Sequence, residues 1–271
     1  MHSTPSPEHV IDEINQQMMR SSAAVEQYSG PEYLLAHERA VFDELAAEVR
    51  GQPILDLGVG GGRTVKALRA LSEDYLGIDY SPEMVAACRA RFPGVRFELA
   101  DARNLVTVPD ASIALAVFSC NGISMVGHAD RLAILREVHR VLRPGGAFVF
   151  TTYNRDSPDA TSGFEFPEFR PSANPARLLV RAYRWVRETA VRVRNRRRFV
   201  PHEVRTAEYA VINDRCHDFG VMLYYITLAD QRRQLEAAGF APDAPAFEHT
   251  GRRITDGSRL DSMLLIARKP R

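Results

Sequence analysis

The chain has 271 residues, 45% of them hydrophobic, with 35 Lys and Arg against 34 Asp and Glu. That is enough apolar material for a large core, so the composition excludes disorder over the whole chain, and a formal net charge of +1 excludes a uniformly basic nucleic-acid binder or an acidic tail protein. Three widely spaced cysteines (Cys88, Cys120, Cys216), no stretch near the ~20 apolar residues of a membrane span and no apolar signal core at the N-terminus point to a reducing, cytoplasmic setting with neither disulfide framework nor zinc site.

After a polar leader, Leu34, Leu35, Val41, Phe42, Leu45 and Val49 fall near helical spacing and predict a helix over Pro31–Arg50. Pro53–Leu57 is a short apolar strand followed by a glycine cluster. Thr64–Leu71 reads as a helix and Tyr75–Asp79 as a second strand. Ser81 as N-cap with Pro82 at the first helical position opens a helix that runs to about Phe92. Val95–Leu99 and Ile113–Phe118 are the third and fourth strands. Asp130–Leu142 is a helix stopped by Pro144-Gly145-Gly146, and Ala147–Tyr153 is the fifth strand. Short apolar strands alternating with amphipathic helices predict parallel βαβ units in a doubly wound α/β sheet.

The second half changes character. Residues 154–175 have linker composition, and 176–198 read as one Arg-rich helix. Val204–Asn213 and Phe219–Thr227 suggest a β-hairpin around Cys216-His217. Ala229–Ala238 is a helix ending at Gly239, and Leu260–Ala267 is a last strand. The expected organisation is an N-terminal lid over 1–30, a cofactor-binding core over 31–153, an acceptor-side insertion over 154–228, and the C-terminal part of the core over 229–271.

The most informative stretch is Ile54-Leu-Asp-Leu-Gly-Val-Gly-Gly-Gly-Arg63, directly after the first strand. Glycines there let the chain turn sharply and let a ligand approach the backbone, although a plain tight turn would use them too. The dinucleotide fingerprint G-x-G-x-x-G fails at Arg63, and the GK[ST] ending of a phosphate-binding P-loop is absent. A carboxylate at the strand end, Asp56, suits a cationic headgroup better than a pyrophosphate. Asp79 ends the second strand within Gly77-Ile-Asp-Tyr-Ser-Pro-Glu-Met84, 17 residues beyond Gly62. Leu99-Ala-Asp-Ala-Arg-Asn104 and Glu137-Val-His-Arg-Val-Leu-Arg-Pro-Gly-Gly146 follow in order.

With these four pieces in sequence, the chain resembles the class I S-adenosylmethionine-dependent methyltransferases, well over about 30–155 and more loosely over 219–268. The resemblance implies a Rossmann-like, mostly parallel seven-stranded sheet with an antiparallel strand near the C-terminus and a helix-plus-hairpin insertion. It implies S-adenosyl-L-methionine as cofactor and S-adenosyl-L-homocysteine as product. Carried over by position, Gly58 and Gly60 lie against the methionine and ribose, Asp56 faces the amino-acid end, and Asp79 takes the ribose. Tyr80 and Met84 pack on the adenine, Asp101 accepts from its amino group, and Ala102 lies beside it. Phe118, Ser119 and Asn121 line the floor, and Tyr28 and Tyr33 resemble an aromatic lid. The fourth strand lacks the acid such proteins often carry at its start.

Methyl transfer from a sulfonium is an in-line displacement that rests on alignment and exclusion of water and requires no metal. A hydroxyl or carbon acid needs a general base, and the candidates are His128, Tyr153 and His217, with Tyr224 and Tyr225 nearby; each has a packing role as its alternative. His139 reads as structural. The expected reaction is methylation of a small molecule, at O or N in preference to C. The alternatives are a glycan or a lipid-linked or phosphorylated intermediate, and a catalytically silent cofactor-binding regulator. Ten arginines and one acid between Arg170 and Arg198 make an amphipathic basic segment, either a solvated face or a means of reaching an anionic acceptor or a membrane surface through 176–198. Nucleic acid is the weaker partner, because Phe118-Ser-Cys-Asn121 lacks the Asn/Asp-Pro-Pro-aromatic motif of base-amino methyltransferases.

Overall fold

The computed structural model describes residues 7–161, 163–255 and 259–271; residues 1–6 of the expected lid segment, His2 among them, lie outside the described residues. Helices are α1 (Pro7–Met19), α2 (Ser22–Tyr28), α3 (Ala36–Val49), α4 (Val65–Leu71), α5 (Pro82–Arg91), α6 (His128–Val141), α7 (Pro175–Phe199) and α8 (Leu228–Ala237). Strands are β1 (Ile54–Leu57), β2 (Tyr75–Asp79), β3 (Arg96–Leu99), β4 (Ile113–Phe118), β5 (Leu142–Asn154), β6 (Val204–Arg205), β7 (Tyr209–Asp214), β8 (Val221–Ile226), β9 (Ala246–Phe247), β10 (Arg253–Ile254) and β11 (Ser262–Arg268).

The sheet runs β10-β9-β11-β5-β4-β1-β2-β3. Its centre, β5-β4-β1-β2-β3, is parallel, and β11 lies antiparallel to β5. Alternate residues of each central strand point to opposite faces, and both faces are covered. Leu55, Leu57, Ala116, Phe118, Phe148 and Phe150 join the core under α1, α6 and α8. Ile54, Leu115, Val117, Val149 and Ile266 join the core under α3, α4 and α5. The doubly wound sheet expected from the sequence is present, with eleven strands instead of seven. The hairpin β7–β8 supplies two of the four additional strands: β8 pairs with the end of β5 at Tyr153↔Tyr225 and Asn154↔Ile226, so the insertion is welded to the sheet.

Local chemistry fixes several boundaries. Ser81 Oγ accepts from Met84 N at 3.2 Å and caps α5 ahead of Pro82. Asn174 caps α7, and Thr227 caps α8. Elsewhere tertiary contacts override the sequence pattern. α3 starts at Ala36, not Pro31, because Leu35 is extended and the Glu38 carboxylate turns back to its N–H at 2.9 Å. β5 starts at Leu142 instead of Ala147, since pairing with β4 continues across a bulge at Pro144-Gly-Gly, where Gly145 has φ +78°. The polar leader holds two helices. Ile11 and Ile14 of α1 are buried, and the Asn15 side chain bonds Met125 O and Met222 O, both at 2.7 Å.

Candidate active site

Strand order reverses between β1 and β4, and ligands of open α/β sheets bind outside the carboxyl ends of strands at such a point. A cleft of about 330 Å³ opens there. Its floor is the loop after β1. Gly58 has φ +59°, and a Cβ on it would lie 2.5 Å from the Phe118 ring at the end of β4. A Cβ on Gly61 would lie 2.2 Å from the Tyr28 carbonyl oxygen, so the end of α2 rests directly on this loop.

Two carboxylates organise the floor. Asp56 is fully buried, and its Oδ2 accepts from Thr64 Oγ1 and Tyr75 Oη, both at 2.8 Å. Burial outweighs those bonds and pushes its carboxyl up to about 6. Asp79 uses one oxygen for Gly60 N–H and the other for Ser81 N–H, each at 2.9 Å. Burial raises its pKa against the lowering effect of these N–H groups. A carboxylate oxygen has capacity for a second bond, so Asp79 can hold the loop and still accept from a ligand.

Another part of the cleft lining is built from segments far apart in the chain. Tyr28 Oη lies 3.2 Å from His217 Nε2. Burial lowers the His217 pKa below its usual 6.5 and pushes the Tyr28 phenol up to about 12. Near neutral pH the imidazole is therefore unprotonated and the phenol protonated, a donor and an acceptor side by side. Tyr153 stacks on Tyr225 with ring centroids 5.1 Å apart and faces the same space. Burial raises both cleft thiols, Cys120 and Cys216, the latter to about 12, so neither presents a thiolate.

Both rims carry left-handed backbone on residues with side chains: Cys120 and Asn121 at φ +50° and +57°, and His217, Asp218 and Phe219 at +50°, +55° and +59°. The expected hairpin is present, and this irregular turn is how it closes. Side chains hold the conformation. Asp214 accepts from Cys216 N at 2.7 Å and Tyr225 Oη at 2.6 Å, and Asn213 donates to Phe219 O at 2.8 Å and Val221 O at 2.9 Å. Arg192 of α7 bonds Asp218 at 2.8 Å.

The cleft brings together Tyr28, Tyr33, Asp56, Gly58, Gly60 and Asp79. Tyr80, Asp101, Ala102, Phe118, Ser119, Asn121, Tyr153 and His217 also line it. Two expected residues are elsewhere. Met84 is fully buried in the first turn of α5 and outside the cleft lining, which leaves Tyr80 on that wall. His128 also lies outside it: the loop after β4 puts Met125 and Val126 in the cleft, while His128 stacks on Tyr209 at 4.1 Å and bonds Tyr224 Oη at 2.8 Å. It packs α6 against the hairpin, which corrects the expectation that it faces the ligand side. Asp101 lines the cleft, but Arg103 already grips its carboxylate with Nε at 2.9 and 3.0 Å and Nη2 at 2.6 Å.

Sequence reasoning left Glu38, Arg63 and Arg103 without roles. Arg63 ends the glycine motif, forms a bidentate pair with buried Glu38 at 2.6 Å through each nitrogen, and lies over the Tyr33 ring at 5.1 Å. Its place in the motif was the available signal; Glu38 offered none. Arg103 ties Asp101 to Asp12 of α1 at 2.9 Å and to Asp130 of α6 at 2.7 Å, so it anchors the N-terminal helix to the cleft wall.

Residues 54–146 match the model of a methyltransferase domain family. A Mycolicibacterium smegmatis protein named as a probable S-adenosylmethionine-dependent methyltransferase is 32% identical over 45% of this chain and 46% of its own. The fatty-acid O-methyltransferase of the same organism is 31% identical over 54% of this chain and 51% of its own. The chain thus spans about half the length of the curated relatives it matches. Among solved structures, the Burkholderia thailandensis 1,6-didemethyltoxoflavin-N1-methyltransferase shares the fold at TM-score 0.58 and 16% identity, covering 100% of this chain and 94% of that one. The CcbJ methyltransferase of Streptomyces caelestis does so at TM-score 0.57 and 19% identity, covering 89% and 92%. The matched segment supplies the glycine loop, Asp79 and the floor at the end of β4, so residues 54–146 are a methyltransferase domain similar to those of S-adenosylmethionine-dependent methyltransferases.

Proposed function

We propose that the cleft methylates a small-molecule acceptor at an oxygen or nitrogen atom held against His217, Tyr28 and Tyr153. The observation that carries this reading is the Tyr28–His217 pair, 3.2 Å apart in the lining of the cleft. The solved relative that carries 1,6-didemethyltoxoflavin with S-adenosylhomocysteine supports an acceptor of small-molecule size.

The residues fit S-adenosylmethionine. The bare backbone of Gly58 and Gly60 leaves room along the floor, and both Asp79 oxygens retain capacity for a ribose diol. Tyr80 and Ala102 would flank the base, and buried Asp56 would stand behind the amino-acid end. When bound, the cofactor supplies an electrophilic methyl group on a sulfonium. The chain supplies alignment and dryness: Tyr28 and Tyr33 cover the cleft from the N-terminal side, and Met125, Val221 and Leu223 give it apolar walls. The His217 imidazole, neutral near neutral pH, takes the proton that a hydroxyl or amine acceptor loses on methylation.

The test is turnover of small hydroxyl and amine acceptors by the parent and by His217→Ala and Tyr28→Phe. Loss of ~10²-fold or more in kcat with unchanged S-adenosylhomocysteine affinity supports the role of His217 as base. Full turnover by His217→Ala refutes it. Turnover only with glycan or lipid-linked acceptors selects the alternative acceptor class. Cofactor binding without turnover of any acceptor selects a silent regulator.

A further inference from the structure

Helix α7 is 25 residues long, and Phe199 is its one buried residue. Its inner face is bolted to the insertion. Trp185 Nε1 donates to Pro167 O at 2.8 Å, Arg192 pairs with Asp218, and Asn195 donates to Asp218 O at 2.9 Å. Arg196 pairs with Glu203 at 2.7 Å and bonds Asn213 O at 2.8 Å. A second face has no protein cover. Leu179, Tyr183, Val186, Ala190 and Val193 recur at steps of four and three, which places them on one stripe. Leu179, Tyr183 and Val186 are 73, 69 and 58% exposed. The lower part of the stripe forms an open groove that runs into Arg194, Arg197 and Arg198.

The charge beside this stripe selects its occupant. The helix has nine arginines and one acid, Glu188. Arg177, Arg184, Arg187, Arg194, Arg197 and Arg198 have no carboxylate within ion-pairing distance among the described residues. A second copy seated on the stripe would bring like charges together with almost no acid to offset them. The helix cannot cross a membrane: none of the described helices is long and apolar enough. An amphipathic helix with Leu, Val and aromatic residues on one face and arginines beside them suits the headgroup boundary of an anionic bilayer, where long arginine side chains reach lipid phosphates.

We propose that α7 lies along an anionic lipid surface, with Leu179, Tyr183 and Val186 entering the headgroup boundary. Asp218, to which α7 is fastened, adjoins His217 of the cleft, so the docked helix holds that part of the cleft at the bilayer. Docking does not depend on which acceptor is methylated.

The experiment is vesicle co-sedimentation of the full chain. Phosphatidylcholine vesicles are compared with vesicles that also contain phosphatidylglycerol. Trp185, the chain's one tryptophan, gives a fluorescence signal at the site. The parent binds the anionic vesicles selectively, and salt weakens binding as the screening length falls below about 10 Å. Arg187→Gln/Arg194→Gln/Arg197→Gln lowers affinity roughly fivefold per arginine, on the order of 100-fold together. Leu179→Ser/Val186→Ser weakens binding without changing its salt dependence. All five positions lie outside the cleft lining, so S-adenosylhomocysteine affinity stays at the parent value and serves as the folding control. Absence of selective binding by the parent, or parental binding by both variants, overturns the proposal. So does a parental dimer in sedimentation velocity that Leu179→Ser/Val186→Ser dissociates, which assigns the stripe to a second copy.

Discussion

Asp79→Ala tests the floor of the cleft most directly. The sequence alone suggests a ligand contact that can be removed with the fold intact. In the structure the same carboxylate accepts from the Gly60 and Ser81 N–H groups at 2.9 Å and is 7% exposed. Bonds from backbone N–H to a charged acceptor contribute ~1.5–3 kcal/mol each. Because water from the cleft can replace the lost acceptor, the lower figure applies, and two bonds give a stability loss of about 3 kcal/mol. The ribose would lose a charged acceptor as well, about 1.5–3 kcal/mol, which is a 10- to 150-fold rise in Kd. Urea denaturation gives the first quantity. Calorimetric titration with S-adenosylhomocysteine, at a temperature where circular dichroism shows the variant folded, gives the second. A folded variant with parental affinity refutes the ribose role, and parental stability refutes the bracing of the glycine loop.

Three other outcomes follow from buried groups. Asp56, raised from 3.8 to about 6, carries a proton more readily folded than unfolded, so its contribution to stability is complete below about pH 4 and is lost as pH rises through about 6. That change amounts to at most about 3 kcal/mol; Asp56→Asn, which still accepts from Thr64 and Tyr75, should flatten it in urea titrations across this range. Arg131 is fully buried and bonds Ile123 O at 2.9 Å, Thr152 Oγ1 at 3.0 Å and the Gln231 side chain, with no carboxylate partner among the described residues. Arg131→Ala leaves those acceptors unpaired around a cavity and should cost about 3–5 kcal/mol in chemical denaturation. Gly61→Ala drives a Cβ into the Tyr28 carbonyl and should cost ~1–3 kcal/mol while speeding limited proteolysis at α2; unchanged cleavage there would show that α2 does not rest on the loop.

Much of the framework was legible in the chain because it depends on local rules. Short, near-continuous apolar runs marked β1, β2 and β4, since a strand buried on both faces needs apolar residues throughout. Ser81-Pro82 announced α5 through capping, and the Gly58–Gly62 turn with Asp79 announced the floor through backbone chemistry that neighbouring residues decide. Tertiary structure alone decided the Tyr28–His217 part of the cleft. Tyr28 and His217 are 189 residues apart, and their meeting depends on β8 pairing with β5 and on α2 resting on Gly61. His128 and His217 looked alike as candidate bases, because a sequence shows that a histidine follows a strand but not which way the loop turns. One went to a tyrosine stack and the other to the cleft. Glu38 carried no signal at all, since its role is a partner for Arg63 from another element. Local propensity and periodicity are properties of neighbouring residues, whereas a site assembled across the fold rests on strand register and side-chain direction, which long-range packing sets.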